Sequence, residues 1–285
     1  MNPTAVRSFP CPPGGDPSRE SVRFPAPNEV HVWFADIDSS SVADHHLLSP
    51  DERARADRFR FDRDRDRFAA ARATLRLMLA LYLGDEPCRY EFDYGEQGKP
   101  FLAGAFADCG LDFNVSHAQG LAAYAFACKR RVGVDVEGVR PVADADEIAD
   151  RFFSAREAEQ LGGLRDEEKP GAFFNVWTRK EAFVKAVGEG LSYPLDRFEV
   201  SLGVSGRLVS IEPGSTARGE WSLCELEAPP GYVAAVAAEG VDWRLLGPLT
   251  WPGLSPARES GAKGDVAGLA GFSSFDVGPL VKAQA

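Results

Sequence analysis

The feature that most constrains this chain is that it echoes itself. A strand-like run, Val30-His31-Val32-Trp33-Phe34, leads into Asp36-Ile37-Asp38, and about one hundred residues later Val132-Gly133-Val134 leads into Asp135-Val136-Glu137. Ser49-Pro50-Asp51-Glu52 is matched by Ser154-Ala155-Arg156-Glu157. Both place serine at an N-cap and glutamate three residues on, the capping-box signature of a helix start. A helical pattern over 67–83 stops at Gly84, and its counterpart over 171–187 stops at Gly188 and Gly190. Phe113-Asn114-Val115-Ser116 with Gly120–Ala127 is matched by Phe198-Glu199-Val200-Ser201 with Gly231–Ala238. Each half thus runs strand, helices, then two or more strands. A period this long marks domain duplication rather than a solenoid, and it predicts an α+β fold of two similar lobes.

The repeat sets the boundaries. The N-terminal lobe is expected over 28–129 and the C-terminal lobe over 130–250. Residues 1–27, rich in Pro, Gly and Ser and without periodicity, are expected as a flexible arm; 251–285 are expected as a weakly ordered tail, with some order near Phe272–Leu280. A chain of 285 residues suffices for two modest domains with a buried core. Lys+Arg total 32 and Asp+Glu 43, a net charge of −11, which excludes a generally basic nucleic-acid coat or anionic-membrane binder. No apolar run approaches the roughly 20 residues of a membrane span, and the first residues lack the apolar stretch of a secretory signal. The expected compartment is the cytoplasm. The 5 cysteines are odd in number and show no CxxC spacing, so a zinc site or disulfide framework is not expected.

Three segments carry chemistry. Over Arg131–Gly138, period two puts Val132, Val134 and Val136 on one face and Gly133, Asp135 and Glu137 on the other. Two carboxylates side by side repel, and a hard cation such as magnesium offsets that; a half-exposed strand with a polar face is the other reading. On a helix, Trp177, Lys180, Glu181 and Lys185 share one strip. Glu181 and Lys185 are either a surface pair or a third carboxylate with the two lysines facing a phosphate. Ser116-His117 closes a β-like run; histidine as an anion ligand or core hydrogen-bonder is favoured over a catalytic dyad, which needs an acid and an oxyanion site as well. Between Arg53 and Arg76, nine arginines face four acids. That is either a solvated helix face or a focused anion-binding field.

Taken together, FNVSHA, GVDVE and WTRKEAFVKAVGEGLS, with GKP at 98–100, RFF at 151–153 and PLDRF at 194–198, resemble the 4′-phosphopantetheinyl transferases of the Sfp type over about residues 30–240. The resemblance implies two pseudo-two-fold related lobes with the active site in the cleft between them, in a monomer. It implies coenzyme A as donor, Mg2+ as cofactor, and the serine of an apo acyl or peptidyl carrier protein of fatty-acid, polyketide or peptide synthesis as acceptor, with adenosine 3′,5′-bisphosphate released. By the same resemblance Asp135, Glu137 and Glu181 hold the metal. Glu181 and Lys185 are catalytic, and Arg55, Lys99, Ser116, His117, Lys180 and Lys185 contact coenzyme A. Two positions depart from the pattern: Glu52 stands at a basic position, and Phe68 where some members carry a small hydroxyl residue. Arg53, Arg63 and Arg67 are the candidates to replace the missing contact. Two other readings suit the same residues, a different magnesium-dependent diphosphate enzyme and a non-catalytic binding scaffold.

Overall fold

The computed structural model describes residues 22–38, 46–203, 206–212, 217 and 219–251. These fall within one unit, Met1–Leu254, apart from a second unit, Ser255–Ala285. The tail expected over 251–285, Trp251 excepted, and the first 21 residues of the arm lie outside the described residues.

The first half forms β1 (Glu29–Asp36), α1 (Pro50–Ala56), α2 (Asp62–Leu83), β2 (Phe92–Tyr94), β3 (Pro100–Leu102), β4 (Leu111–Ala118) and β5 (Leu121–Cys128). The second forms β6 (Val132–Gly138), α3 (Ala145–Phe152), α4 (Ala155–Gly162), α5 (Lys169–Val187), β7 (Phe198–Val200), β8 (Leu208–Ile211), β9 (Trp221–Leu226) and β10 (Tyr232–Glu239), followed by β11 (Arg244–Thr250). The helix ends obey local chemistry. Ser49 and Ser154 each close a capping box with Glu52 and Glu157, and α2 and α5 end at Gly84 (φ 73°) and Gly188 (φ 87°), left-handed positions that glycine adopts without strain.

The two halves repeat in topology. One sheet contains β1-β5-β4 and the other β6-β10-β9, antiparallel throughout, and each half adds a two-stranded ribbon, β2-β3 or β7-β8. A mixed α+β fold of two similar lobes is what the echo predicted. The matching of particular segments needs correction. Phe198–Val200 is β7, the counterpart of β2, whereas β4 corresponds to β9. Asp36 shares the face of Val30, Val32 and Phe34, which enter the core between the sheets; Asp135 is on the opposite face from Val132, Val134 and Val136, which enter the same core. Asp36 and Asp135 are therefore not equivalent.

β11 returns to the first half and pairs in parallel with β1 (Val30 with Leu245, Trp33 with Leu249). The described end of the arm is anchored: Val22 and Phe24 lie against the first-half core, and Arg23 bonds Glu29 at 2.8 Å. Alternate residues of both sheets fill one core between them; the outer face of the first sheet buries Trp33, Phe113, Tyr124 and Phe126 against α2, and α5 packs on β6 and β10.

The duplication reaches down to single side chains. In the first half Arg76 of α2 bonds the capping glutamate Glu52 (2.8 Å) and the carbonyls of Pro87 and Tyr90 (2.9 Å each). In the second, Lys180 of α5 meets the capping glutamate Glu157 (2.7 Å) and the carbonyls of Leu195 and Phe198 (2.8 Å each). Each cation also lies over the aromatic ring that opens the next strand, Phe92 at 5.0 Å and Phe198 at 4.3 Å.

Candidate active site

Gly133 decides how closely the acidic strand can approach α5. A Cβ there would stand 2.2 Å from the Ala182 carbonyl oxygen and 2.3 Å from the Ala186 nitrogen. Glycine lets the two backbones touch, and the next residues on that face of β6, Asp135 and Glu137, meet Glu181 and Lys185 of α5. From the other side β4 brings Ser116. Asp135 Oδ1 accepts from Ser116 Oγ (2.7 Å) and from Lys185 Nζ (2.5 Å), and Lys185 also donates to Ser116 Oγ (2.9 Å). Glu137 receives Arg140 Nη1 at 3.2 Å, and that guanidinium lies 4.5 Å over the Phe174 ring.

Two oxygens are left over. Asp135 Oδ2 and Glu181 Oε1 are buried and have no hydrogen-bond partner, an arrangement that is costly unless something binds them. The charges register the same tension. Burial, then the neighbouring Asp135 carboxylate, raises the pKa of Glu137 to about 7. Burial also raises Glu181 to about 7, against the pull of Lys185 and with the help of Asp135 and Glu137. Burial opposes the charge on Lys185, but Asp135, Glu181 and Glu137 hold its pKa above the usual lysine value. Among the described residues no three His, Cys, Asp or Glu side chains converge to cage a metal as they stand. Magnesium does not require such a cage, since it typically takes one or two carboxylates and completes its octahedron with water and substrate phosphates. Two orphaned hard oxygens on facing elements fit it in that manner.

His117, next along β4, is exposed, yet the protein around it lowers its pKa, followed by repulsion from Lys185, Arg67 and Arg72. The site is thus continuous with a cationic wall on α2. Arg67 is clamped by Asp38 (2.6 Å to each oxygen). Arg72 bonds the Tyr94 hydroxyl (3.0 Å) and lies over Phe68 at 5.8 Å. Arg55 is exposed and stacks on the other reach of that wall, 5.4 Å from the Phe68 centroid. Glu52 faces inward as a capping residue and partner of Arg76.

Two expected ligand contacts are engaged elsewhere. Lys180 is 0 % exposed and all three donors of its ammonium are taken by Glu157, Leu195 and Phe198. Consecutive helical residues point about 100° apart, so Lys180 faces the core while Glu181 faces β6. Lys99 donates to the Val132 carbonyl (2.9 Å), stands 3.5 Å from Asp112, and has its pKa lowered by burial. It lines a groove of about 470 Å³ together with Phe101, Arg131 and Val187. Sequence reasoning passed over Gly133 as a close-approach residue and Asn114, whose Oδ1 accepts the Val134 amide at 2.9 Å. Both were visible as partners, by period two, of Asp135 and Ser116.

Residues 36–129 match the family model described as 4′-phosphopantetheinyl transferase, N-terminal, and 131–237 that described as 4′-phosphopantetheinyl transferase superfamily. The seam falls in the turn between β5 and β6. The 4′-phosphopantetheinyl transferase HetI of Nostoc sp. (strain PCC 7120) is 43% identical over 221 residues, 76% of this chain and 90% of that one. Sfp of Bacillus subtilis, also a 4′-phosphopantetheinyl transferase, is 33% identical over 198 residues, 69% and 84% of the two chains. The transferase AcpT of Salmonella typhimurium is 40% identical over 153 residues, 53% and 69%. This chain belongs to the 4′-phosphopantetheinyl transferase superfamily and is an enzyme of that class. None of its described helices is long and apolar enough to cross a membrane.

Proposed function

We propose that the enzyme transfers the 4′-phosphopantetheine group of coenzyme A to a serine of an apo acyl or peptidyl carrier protein, with Mg2+, releasing adenosine 3′,5′-bisphosphate. The observation that carries this reading is the pair of orphaned oxygens, Asp135 Oδ2 and Glu181 Oε1, facing each other's elements beside Lys185. Asp135 and Glu181 would hold the metal, with Glu137 as the third acid. When bound, it polarises the diphosphate and offsets charge on the transferred group.

The chain's own residues do the rest. Lys185 is held half-buried between Ser116 and Asp135, where a fixed ammonium stabilises the charge that grows on the leaving bisphosphate. His117 with Arg67, Arg72 and Arg55 suits the phosphates at the nucleotide end. The carrier serine oxygen forms the new bond to the pantetheine-side phosphorus, and the bond to the bisphosphate oxygen breaks, that oxygen keeping the electron pair. The serine proton goes to Glu181, the buried carboxylate on the helix facing Asp135, directly or through a water. Asp135→Ala and Glu181→Ala are each expected to lose transfer by at least about a hundredfold while keeping a wild-type circular-dichroism spectrum. Near-normal turnover of either variant in saturating Mg2+ would contradict the assignment.

A further inference from the structure

We infer that Asn114 is a positioning residue for the acid cluster: it holds the free edge of β6 so that Asp135 and Glu137 stand opposite Glu181 and Lys185. β6 is the edge strand of its sheet, bonded to β10 on one side and, among the described residues, to no ladder on the other. An edge strand presents a row of N–H and C=O groups, and where such groups are buried they need partners.

Here side chains from the first half supply two of them along β6, and a third reaches the side chain of Asp135. Lys99 Nζ donates to the Val132 carbonyl (2.9 Å), Asn114 Oδ1 accepts the Val134 amide (2.9 Å), and Ser116 Oγ donates to the Asp135 carboxylate (2.7 Å). The two halves are thus stitched at the acidic strand by side chains where a sheet would use backbone. Asn114 is the middle stitch and the one nearest the backbone that carries Asp135. It is 4 % exposed and shares the β4 face of Ser116. The chemistry suits asparagine: an acceptor is required, and an aspartate would bring one more negative charge beside the carboxylates of Asp135, Glu137 and Glu181. Lys99 and Ser116 are also candidate coenzyme A contacts, whereas Asn114 acts through the strand. Groups that orient metal-holding side chains without touching the metal typically change affinity 10–100-fold when removed.

The role in metal holding rests on the proposed function; the stitch itself does not. The test compares wild type, Asn114→Ala and Asn114→Thr, the last retaining a short acceptor. Val134 amide exchange is followed by NMR in the metal-free protein, Mn2+ affinity by calorimetry, and kcat and KM by transfer assay. For Asn114→Ala we expect faster Val134 exchange, Mn2+ binding weakened about tenfold or more, and a fall in kcat at saturating Mn2+ with KM for coenzyme A little changed. The threonine variant should recover part of each effect, and it replaces alanine in the comparison if the alanine variant does not fold. Unchanged Val134 exchange would overturn the stitch. Faster exchange with unchanged Mn2+ affinity would overturn the positioning role. A wild-type protein that binds Mn2+ but transfers nothing would instead overturn the proposed function, leaving the exchange and affinity results to judge Asn114.

Discussion

Asp135 has one crowded oxygen and one bare one. Oδ1 takes both Ser116 and Lys185, while Oδ2 is buried without a partner, so the residue is braced by one atom and available through the other. Lys180 and Glu181 divide their labour in a similar way across a single peptide bond. Lys180 is a structural cation whose partner, Glu157, is itself fully used: it bonds the Ser154 amide (2.8 Å) and the Val200 amide (2.7 Å) as well. Removing one member of a buried pair leaves the other uncompensated, at a cost of about 3–5 kcal/mol. Lys180→Ala and Glu157→Ala should therefore each lower unfolding free energy by roughly that much in urea titration. Lys180→Met, which keeps the volume without the charge, should be equally damaging because Glu157 stays buried. A loss confined to coenzyme A affinity, with stability unchanged, would return Lys180 to the ligand-binding set. The motif around these residues was legible in sequence, but the partition of its two charges was not. Both orientations put a charged side chain on a helix next to a strand, and only the position of Glu157, more than twenty residues earlier, decides between them.

At the scale of elements, the site is a contact between one strand and one helix, and Gly133 sets its distance. Gly133→Ala puts a methyl group into the backbone of α5 on both sides. Neither backbone can yield as a flexible side chain would, so the substitution should cost about 1–3 kcal/mol or more and reduce transfer by separating Asp135 from Glu181 and Lys185. Thermal melts and steady-state rates check this; a fully active, fully stable variant would mean that β6 and α5 do not touch as described. The helices were the more legible elements because their signals are local: two capping boxes mark the starts of α1 and α4 and two glycines the stops of α2 and α5, whereas α2, without a side-chain cap, begins at Asp62, five residues before the expected 67. Strand correspondence was harder. The likeness of Phe113–Ser116 to Phe198–Ser201 rests on a short alternating pattern that any two strands can share, and a shift of one residue moves a strand's side chains to the other face. β11 left no local sign of its return, since its partner β1 lies more than two hundred residues away and the pairing is fixed only by tertiary packing.

Over the whole molecule, a net charge of −11 coexists with an arginine-rich segment that the fold sorts into distinct groups. Arg76 turns inward to Glu52, whereas Arg72, 3.7 Å from the same carboxylate, reaches the Tyr94 hydroxyl on the wall. Arg65 and Arg67 pair with acids at the surface, and Arg55, Arg58 and Arg60 remain exposed. The acidic balance therefore excludes a basic molecule while leaving a local cationic wall beside His117. The acid cluster also makes stability depend on pH. In the metal-free protein Glu137 and Glu181 titrate at about 7 when folded, against 4.5 as the ordinary value. Between those limits the folded state binds more protons than the unfolded, so their contribution to stability falls as pH rises through the window and is constant above it. A divalent cation removes the repulsion. The increase in melting temperature on adding Mg2+ should therefore be larger at about pH 8 than at about pH 5.5; equal shifts at both would indicate that Mg2+ does not bind these carboxylates.

The central claim is tested most directly by intact-mass measurement of an apo carrier protein incubated with coenzyme A and the wild-type enzyme, with Mg2+ and with chelator, across several acyl and peptidyl carriers. Transfer predicts that at least one carrier gains the mass of one phosphopantetheinyl group, that the gain maps to its serine, and that chelator abolishes it. A gain that persists undiminished in chelator, or no gain on any carrier while coenzyme A binds, would contradict the account.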